Sequence, residues 1–303
     1  MAHRPDPSDP RRRRPPEATL RWAARQVGPG GRVVACRRMT LGGWHANHAL
    51  VVTDRRGREH RLVLRRWARP EWRTEDPDLT AGREAAVLAL LEDSDLPVPR
   101  LVGADLDATA CDVPTLLITR LPGHPPGLPR DMDGFVEALA VTHAGVAAVS
   151  DAARGRVPAY RRYHDRMAVP GWSRLRPMWE AAVAIAGSEP PAGPRGFLHR
   201  DYHPENTLWS RDRLTGVVDW TTGSWGPLAI DRGHMRWNLA VTYGLDVADA
   251  FLSRCGGPSA DQPYWDIVTA LDVVTDLDPG EWARIDLARL ERHVEGAVRA
   301  IGR

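Results

Sequence analysis

The chain contains no lysine, and all 41 of its basic residues are arginine. Any cation the fold needs must therefore be a planar guanidinium fork and not a compact ammonium. Cysteine is nearly as scarce. Cys36, Cys111 and Cys255 stand far apart with no Cys-x-x-Cys pair, which excludes a cysteine-built zinc site and a dithiol redox motif and fits a reducing cytoplasm. No apolar run approaches the roughly 20 residues that cross a bilayer. The basic start is not followed by a hydrophobic signal core, so we expect a cytoplasmic chain with no membrane partner. A net charge of +2 gives no overall drive toward nucleic acid, and no nucleic-acid partner is expected.

What remains is the composition of a soluble globular protein: 303 residues, 43% hydrophobic and 26% charged, enough for one large or two ordinary domains. Residues 1–17, with Arg11 to Arg14 in a row among repeated prolines, read as a disordered Arg/Pro-rich tail. Leu20 to Val27 reads as a short helix stopped by Gly28-Pro29-Gly30-Gly31. Three strand-like runs follow, Arg32 to Arg38, His48 to Thr53 and Glu59 to Arg66, the last two joined by the turn Asp54-Arg55-Arg56-Gly57. Between the first two, Gly42 and Gly43 either make a plain turn or let backbone amides approach a phosphate. On the third strand, two-residue alternation puts Arg61, Val63 and Arg65 on one face and Leu62 and Leu64 on the other.

Leu79 to Asp93 reads as a helix carrying Glu84, and Val113 to Leu121 as a buried strand running into Pro122-Gly123. Asp131 can cap a helix whose Met132, Phe135, Leu139 and Thr142 to Val146 recur at helical spacing, with His143 as a packing residue. Residues 150–194 mix arginines, tryptophans and prolines and read as helices. Beyond Val241 the balance turns acidic, with Asp246, Asp249, Asp261, Asp266, Asp272, Asp276, Asp278 and Glu281, which suits a cationic ligand or merely solvated helix faces. Arg284 to Arg303 reads as a closing helix with Leu287, Leu290, Val294, Val298 and Ile301 turned inward.

The densest chemistry lies in Phe197 to Asp231. Leu208-Trp209 and Leu214 to Val218 read as two short strands joined by Ser210 to Arg213, so a loop leads into a hairpin that ends on Asp219. Asp201, Asn206 and Asp219 thus carry oxygen donors of the kind that orient a hydroxyl and hold magnesium on nucleotide phosphates. His199, Asp201 and His203 could instead be a metal-ligand triplet of a hydrolase.

The order His199-x-Asp201-x-x-x-x-Asn206, followed by Val217, Val218, Asp219 and Trp220, resembles the catalytic loop and metal segment of the aminoglycoside phosphotransferase and choline kinase family, small-molecule kinases related to protein kinases. The resemblance implies an α+β, two-lobed protein-kinase-like fold, with a nucleotide-binding lobe over residues 18–122 and a mainly helical catalytic and acceptor-binding lobe over 123–303. It implies ATP and Mg2+ as cofactors and γ-phosphoryl transfer to a hydroxyl of a small-molecule acceptor, with a cationic acceptor in the manner of an aminoglycoside or amino sugar as one reading. Asp201 takes the role of catalytic base, Asn206 and Asp219 those of metal ligands, and His199 and Asp231 those of loop supports. Gly42, Gly43 and Asn47 resemble the nucleotide-positioning loop, Val63 the adenine roof, Arg65 the phosphate cation where the family usually has lysine, and Glu84 its helix partner. Backbone groups from Thr119 to Leu121 take the place of the adenine contacts. A catalytically inactive, nucleotide-binding relative is the alternative that the arginine at position 65 leaves open.

Overall fold

The computed structural model describes residues 10–39, 45–68, 79–164, 166–276 and 285–302. The chain divides into two compact units, one of residues 1–122 with 216–222, the other of residues 123–215 with 223–303.

The first unit is a five-stranded antiparallel sheet with a helix before it and a helix inserted in it. Helix α1 is Glu17–Val27, and strands β1, β2 and β3 are Arg32–Arg38, Ala46–Thr53 and Glu59–Arg66. Helix α2, Ala81–Leu90, precedes β4, Leu101–Asp105, and β5, Thr115–Thr119, and the strand order is β1-β2-β3-β5-β4. The turn between β2 and β3 is closed by Asp54, whose Oδ1 accepts from the N–H groups of Arg56 and Arg58 at 2.9 and 3.0 Å. Gly57 sits there at φ 77°, a conformation that costs glycine little.

The expected alternation of β3 decides which residues face the core. Leu62 and Leu64 pack with Leu50, Val52 and Leu117 under Leu20, Trp22, Ala23 and Ala24 of α1. Arg65 therefore leaves the opposite face, where Asn47 is its cross-strand partner.

Several boundaries differ from the sequence reading. Helix α1 starts at Glu17, directly after Pro16, and Pro10–Arg12 form a 3-10 turn, so residues 10–17 are not the disordered tail expected. Pro15 is buried and Arg66 Nη1 donates to Arg13 O at 3.4 Å, which anchors this segment. Helix α2 is shorter than Leu79 to Asp93 because Thr80 caps it, its side chain accepting from Arg83 N–H at 3.2 Å. The loop bearing Gly42 and Gly43 lies outside the described residues.

The second unit is mainly helical. Helices α3, Met132–Ala148, α4, Ser150–Ala153, and α5, Arg176–Gly187, precede strand β6, Arg195–Leu198. A 3-10 turn at Pro204–Asn206 leads into the hairpin of β7, Thr207–Ser210, and β8, Arg213–Val217, whose last two residues count with the first unit. Strand β9, Ser224–Pro227, pairs with β6, and helices α6, Ala229–Thr242, α7, Leu245–Arg254, α8, Gln262–Asp276, and α9, Leu287–Ile301, complete the unit.

Its core gathers Trp179 from α5, Trp265, Ile267, Val268 and Leu271 from α8, and Leu290 and Val294 from α9. Ile301, expected inward, is 43% exposed at the end of α9. Gly123 must be glycine: at φ 102° a Cβ would stand 2.6 Å from Trp209 O, and this approach lets His124 pair with Trp209. No helix among the described residues is long and apolar enough to cross a membrane.

Candidate active site

In the first unit the chemistry centres on Arg65, 5% exposed and lying 5.5 Å from the Trp67 ring centroid. Its Nε donates to Glu84 Oε2 at 2.6 Å, and its Nη2 donates to Thr221 Oγ1 at 3.0 Å and to Asp219 Oδ1. Thr221 Oγ1 lies 3.1 Å from both Glu84 Oε2 and Asp219 Oδ1, so its single proton goes to one of them.

Burial alone pulls the Arg65 pKa down, but Asp219 and Glu84 outweigh it and raise it. Burial pushes the Glu84 carboxyl up, against the pull of Arg65. These directions oppose each other, and the 2.6 Å contact is that of an ionised pair, so we read Arg65 and Glu84 as charged. Both are buried, Arg65 5% and Glu84 1% exposed, so neither is a surface charge. Asp219 is held at φ 67°, in the left-handed region that a side chain rarely adopts. Around it Val217 N–H donates to Pro97 O at 2.8 Å and Trp220 Nε1 donates to Val217 O at 3.0 Å. Constraints on both sides keep such strained backbone in place.

The other nucleotide-side expectations fare unevenly. Asn47 stands opposite Arg65 in register, and Val63, half-buried, lies between Ala49 and Ile118 on the same face as Arg65. Thr119 N–H donates to Arg100 O at 2.9 Å, so that N–H is not the backbone group of Thr119 that would meet adenine. Arg120 N–H likewise donates to Arg61 O at 3.0 Å, which leaves Leu121 N–H as the main-chain donor of this stretch that no described residue accepts from.

In the second unit β6 delivers the chain to a tightly tied loop. Asp231, in the first turn of α6, accepts from His199 N–H through Oδ2 and from Arg200 N–H through Oδ1, both at 2.7 Å. Burial pushes the Asp231 carboxyl up to about 7 while those two bonds pull it down. Arg200 takes φ 70° and is clamped: Nη2 donates to Arg161 O at 2.6 Å, and its guanidinium lies 3.9 Å from the Tyr163 ring centroid. Asp201 N–H donates to His199 Nδ1 at 3.3 Å, so the fully buried His199 ring faces its own loop. Asn206 Nδ2 donates to Asp201 O at 2.9 Å and to Asp201 Oδ2 at 2.8 Å.

Asp201 keeps 34% of its side chain exposed. His234 Nε2 lies 3.3 Å from Asp201 Oδ1, and His203 Nε2 lies 3.6 Å from Oδ2. Burial pushes the Asp201 carboxyl up, but His203, then His234 and His199, pull harder and hold it well below the usual carboxylate range. Burial in turn draws His234 down to about 4 despite Asp201. Near neutral pH His234 is therefore uncharged, its Nε2 lying beside an ionised carboxylate.

The alternative triplet of His199, Asp201 and His203 does not assemble. His199 Nδ1 is spent on the loop backbone, and among the described residues no group of three or more His, Cys, Asp or Glu is placed to hold a metal. His203, set aside on sequence, does lie beside Asp201. His234 and Thr221 were not singled out, although each has a local signal: His234 follows Asp231 by three residues on one helix, and Thr221 follows Asp219 by two. The acidic carboxyl-terminal stretch is partly consumed inside the unit. Arg236 pairs with both Asp249 and Asp266, and Asp261 and Asp266 are buried, so those two do not line an open acidic surface, whereas Asp249 stays 69% exposed.

Residues 39–271 match the phosphotransferase enzyme family. A homoserine kinase from Rhodospirillum rubrum is 31% identical over 214 residues, 62% of this chain and 59% of that enzyme, so the match spans less than two thirds of the relative. A macrolide 2'-phosphotransferase from Brachybacterium faecium superposes with a TM-score of 0.59 at 22% identity, over 94% of this chain and 98% of its own. A thermostable mutant of an aminoglycoside phosphotransferase, in a ternary complex with ADP and hygromycin B, gives a TM-score of 0.60 at 14% identity over 89% and 95%. At these identities the two structures bear on the fold, which is kinase-like and of the α+β class.

Proposed function

Because this chain belongs to the phosphotransferase enzyme family, we propose that it transfers the γ-phosphoryl group of ATP to a hydroxyl of a small-molecule acceptor. The observation that carries the reading is the loop from His199 to Asn206, which presents one partly open carboxylate, Asp201, on a backbone tied down by Asp231, His199 and Asn206. Phosphoryl transfer asks little covalent chemistry of the protein, so positioning and charge do the work.

Asp201 accepts a hydrogen bond from the acceptor hydroxyl and takes its proton late, since an ionised carboxylate is too weak a base to remove it beforehand. Arg65, aligned by Glu84, meets the α and β phosphates with its fork, in place of the lysine point charge usual in the family. Gly42, Gly43 and Asn47 position the phosphates, Val63 covers adenine and Leu121 N–H donates to it. His199 and Asp231 hold the loop.

The donors assigned to magnesium suit that ion. Asn206 spends its Nδ2 on Asp201, which leaves the amide oxygen as its outward end. Asp219 engages Arg65 and Thr221 through Oδ1 alone, which leaves Oδ2. Hard oxygen donors are what magnesium prefers. Held by Asn206 and Asp219, magnesium would supply positive charge against the negative charge that develops on the phosphate oxygens.

The acceptor class is an alcohol. A cationic acceptor is supported only by the acidic residues that Arg236 does not take. Coupled ADP release should be followed with ATP and magnesium across aminoglycosides, macrolides, amino sugars, choline-like amines and homoserine. We expect acceptor-dependent release that Asp201→Ala abolishes. Full activity in that variant would overturn the assignment, and ATP binding without transfer to any of these would favour a catalytically inactive relative.

A further inference from the structure

The chain has no lysine to place beside a phosphate, and the arginine that stands there, Arg65, carries a flat group that has to be aimed. A guanidinium presents five N–H groups in one plane. Three of them are taken: Nε–H by Glu84 Oε2 at 2.6 Å, and the two on Nη2 by Asp219 Oδ1 and by Thr221 Oγ1, the latter at 3.0 Å. The two on Nη1 have no partner among the described residues and are what is left for a phosphate.

A guanidinium held at one nitrogen still swings about its side-chain bonds, whereas acceptors on both hydrogens of Nη2 stop the swing. Thr221 is itself well fixed for this. It is 2% exposed, it lies in the 3-10 turn Trp220–Thr222 that follows the left-handed Asp219, and its branched side chain has few rotamers. Its Oγ1 lies 3.1 Å from Glu84 Oε2 and from Asp219 Oδ1, so the hydroxyl that accepts from Arg65 donates to one of the carboxylates flanking it. Trp67 covers a flat side of the guanidinium, its ring centroid 5.5 Å from Cζ, and its Nε1–H donates to Leu79 O at 3.0 Å.

Resting on the phosphotransferase reading, we propose that Thr221 is a positioning residue for Arg65: its hydroxyl takes the second hydrogen of Nη2 and so turns the Nη1 edge toward the nucleotide phosphates. Thr221 touches neither nucleotide nor acceptor. An ammonium has no plane to set, so the role belongs to the arginine and disappears with it.

A double-mutant cycle reads this coupling. Binding of ADP to the full chain, with magnesium present, is measured by calorimetry in the wild type, Thr221→Val, Thr221→Ser, Arg65→Lys, and Arg65→Lys combined with Thr221→Val. Thr221→Val keeps the shape and removes the hydroxyl, so the Kd for ADP should rise about tenfold, as for the loss of a charge-assisted hydrogen bond. Thr221→Ser keeps the hydroxyl and should stay within about threefold of wild type. In the Arg65→Lys chain the same valine should change Kd by less than about twofold. Nitrogen NMR of the Arg65 guanidinium, assigned by its loss in Arg65→Lys, should show slow rotation at Nη2 that becomes faster in Thr221→Val.

An unchanged Kd in Thr221→Val would overturn the proposal, as would an equal rise with arginine or lysine at position 65, which a merely structural loss would give. So would a serine variant that binds as weakly as the valine one. Should Thr221→Val not fold, Thr221→Ala carries the same comparison. A wild type that binds no ADP, with slow Nη2 rotation that Thr221→Val releases, would overturn the phosphotransferase reading and leave the anchoring of Arg65 supported. A wild type that binds ADP with Nη2 rotating freely would overturn the role of Thr221 alone.

Discussion

Arg65 in the first unit and Asp201 in the second are each an ion at the centre of a hydrogen-bonded assembly, and they are held in opposite ways. Arg65 is nearly sealed from water and meets two carboxylates, Glu84 and Asp219, so its charge is more than balanced by its own neighbours. Asp201 keeps a third of its side chain open, accepts from an amide and lies beside the rings of His203 and His234. A buried ion pair resists the removal of one partner, because the charge left behind is uncompensated. A partly open carboxylate that accepts from one amide keeps its charge available to a ligand. The first arrangement should therefore register mainly in stability and nucleotide affinity, the second in turnover.

The largest effect should come from Asp201→Asn. It keeps the shape and the hydrogen-bonding end but removes the base, so acceptor-dependent turnover should fall about 10³-fold or more while the unfolding midpoint in urea stays near wild type. A comparable loss of stability would erase the contrast. Arg65→Met should do the reverse. Leaving Glu84 and Asp219 buried without a cation should cost about 3 to 5 kcal/mol in urea unfolding, and adding Glu84→Gln should recover part of it. Where the Arg65→Met protein stays folded, the KM for ATP should rise more than the KM for acceptor.

A third effect concerns pH. His143, 8% exposed within the second unit, has its pKa pulled down by burial to about 4 from 6.5. A group whose folded pKa is depressed contributes stability that is complete above the unfolded pKa and fades as pH falls toward the folded one. Unfolding free energy should thus drop between pH 6.5 and about 4, by about 3 kcal/mol from this residue, and His143→Leu should flatten that limb of the curve. An unchanged slope would show that the ring is hydrated in the folded chain. The smallest effect is Thr80→Ala, which removes the cap of the helix carrying Glu84. About 1 kcal/mol of stability should be lost, with turnover unchanged.

Much of this was legible in the sequence where a local rule applies. The two-residue alternation of β3 put Arg65 opposite Leu62 and Leu64, and Asp131 was recognisable as a cap for α3, where its Oδ1 accepts from Gly134 N–H at 3.0 Å. The spacing of His199, Asp201 and Asn206 was legible as the pattern of a known family, with Asp201 and Asn206 five residues apart on a loop that leads into a hairpin. What escaped notice depends on elements distant in sequence. Thr119 N–H is spent on Arg100, the residue before β4, a partner that no periodicity announces. Arg236 takes two of the aspartates read as a candidate acceptor surface, since α6, α7 and α8 converge on it. The left-handed backbone at Asp219 has no signal in an aspartate followed by tryptophan. His234 was within reach, one helical turn beyond Asp231, and was passed over because only the first acidic residue of that helix had been given a role.

The most direct test of the central claim is a stoichiometric one. With an acceptor that stimulates ADP release, ADP and phosphorylated acceptor should be quantified together in the wild type and in Asp201→Ala. The account requires one phosphorylated acceptor for each ADP formed in the wild type and neither above background in the variant. ADP formed without phosphorylated acceptor, or undiminished transfer in Asp201→Ala, would contradict it.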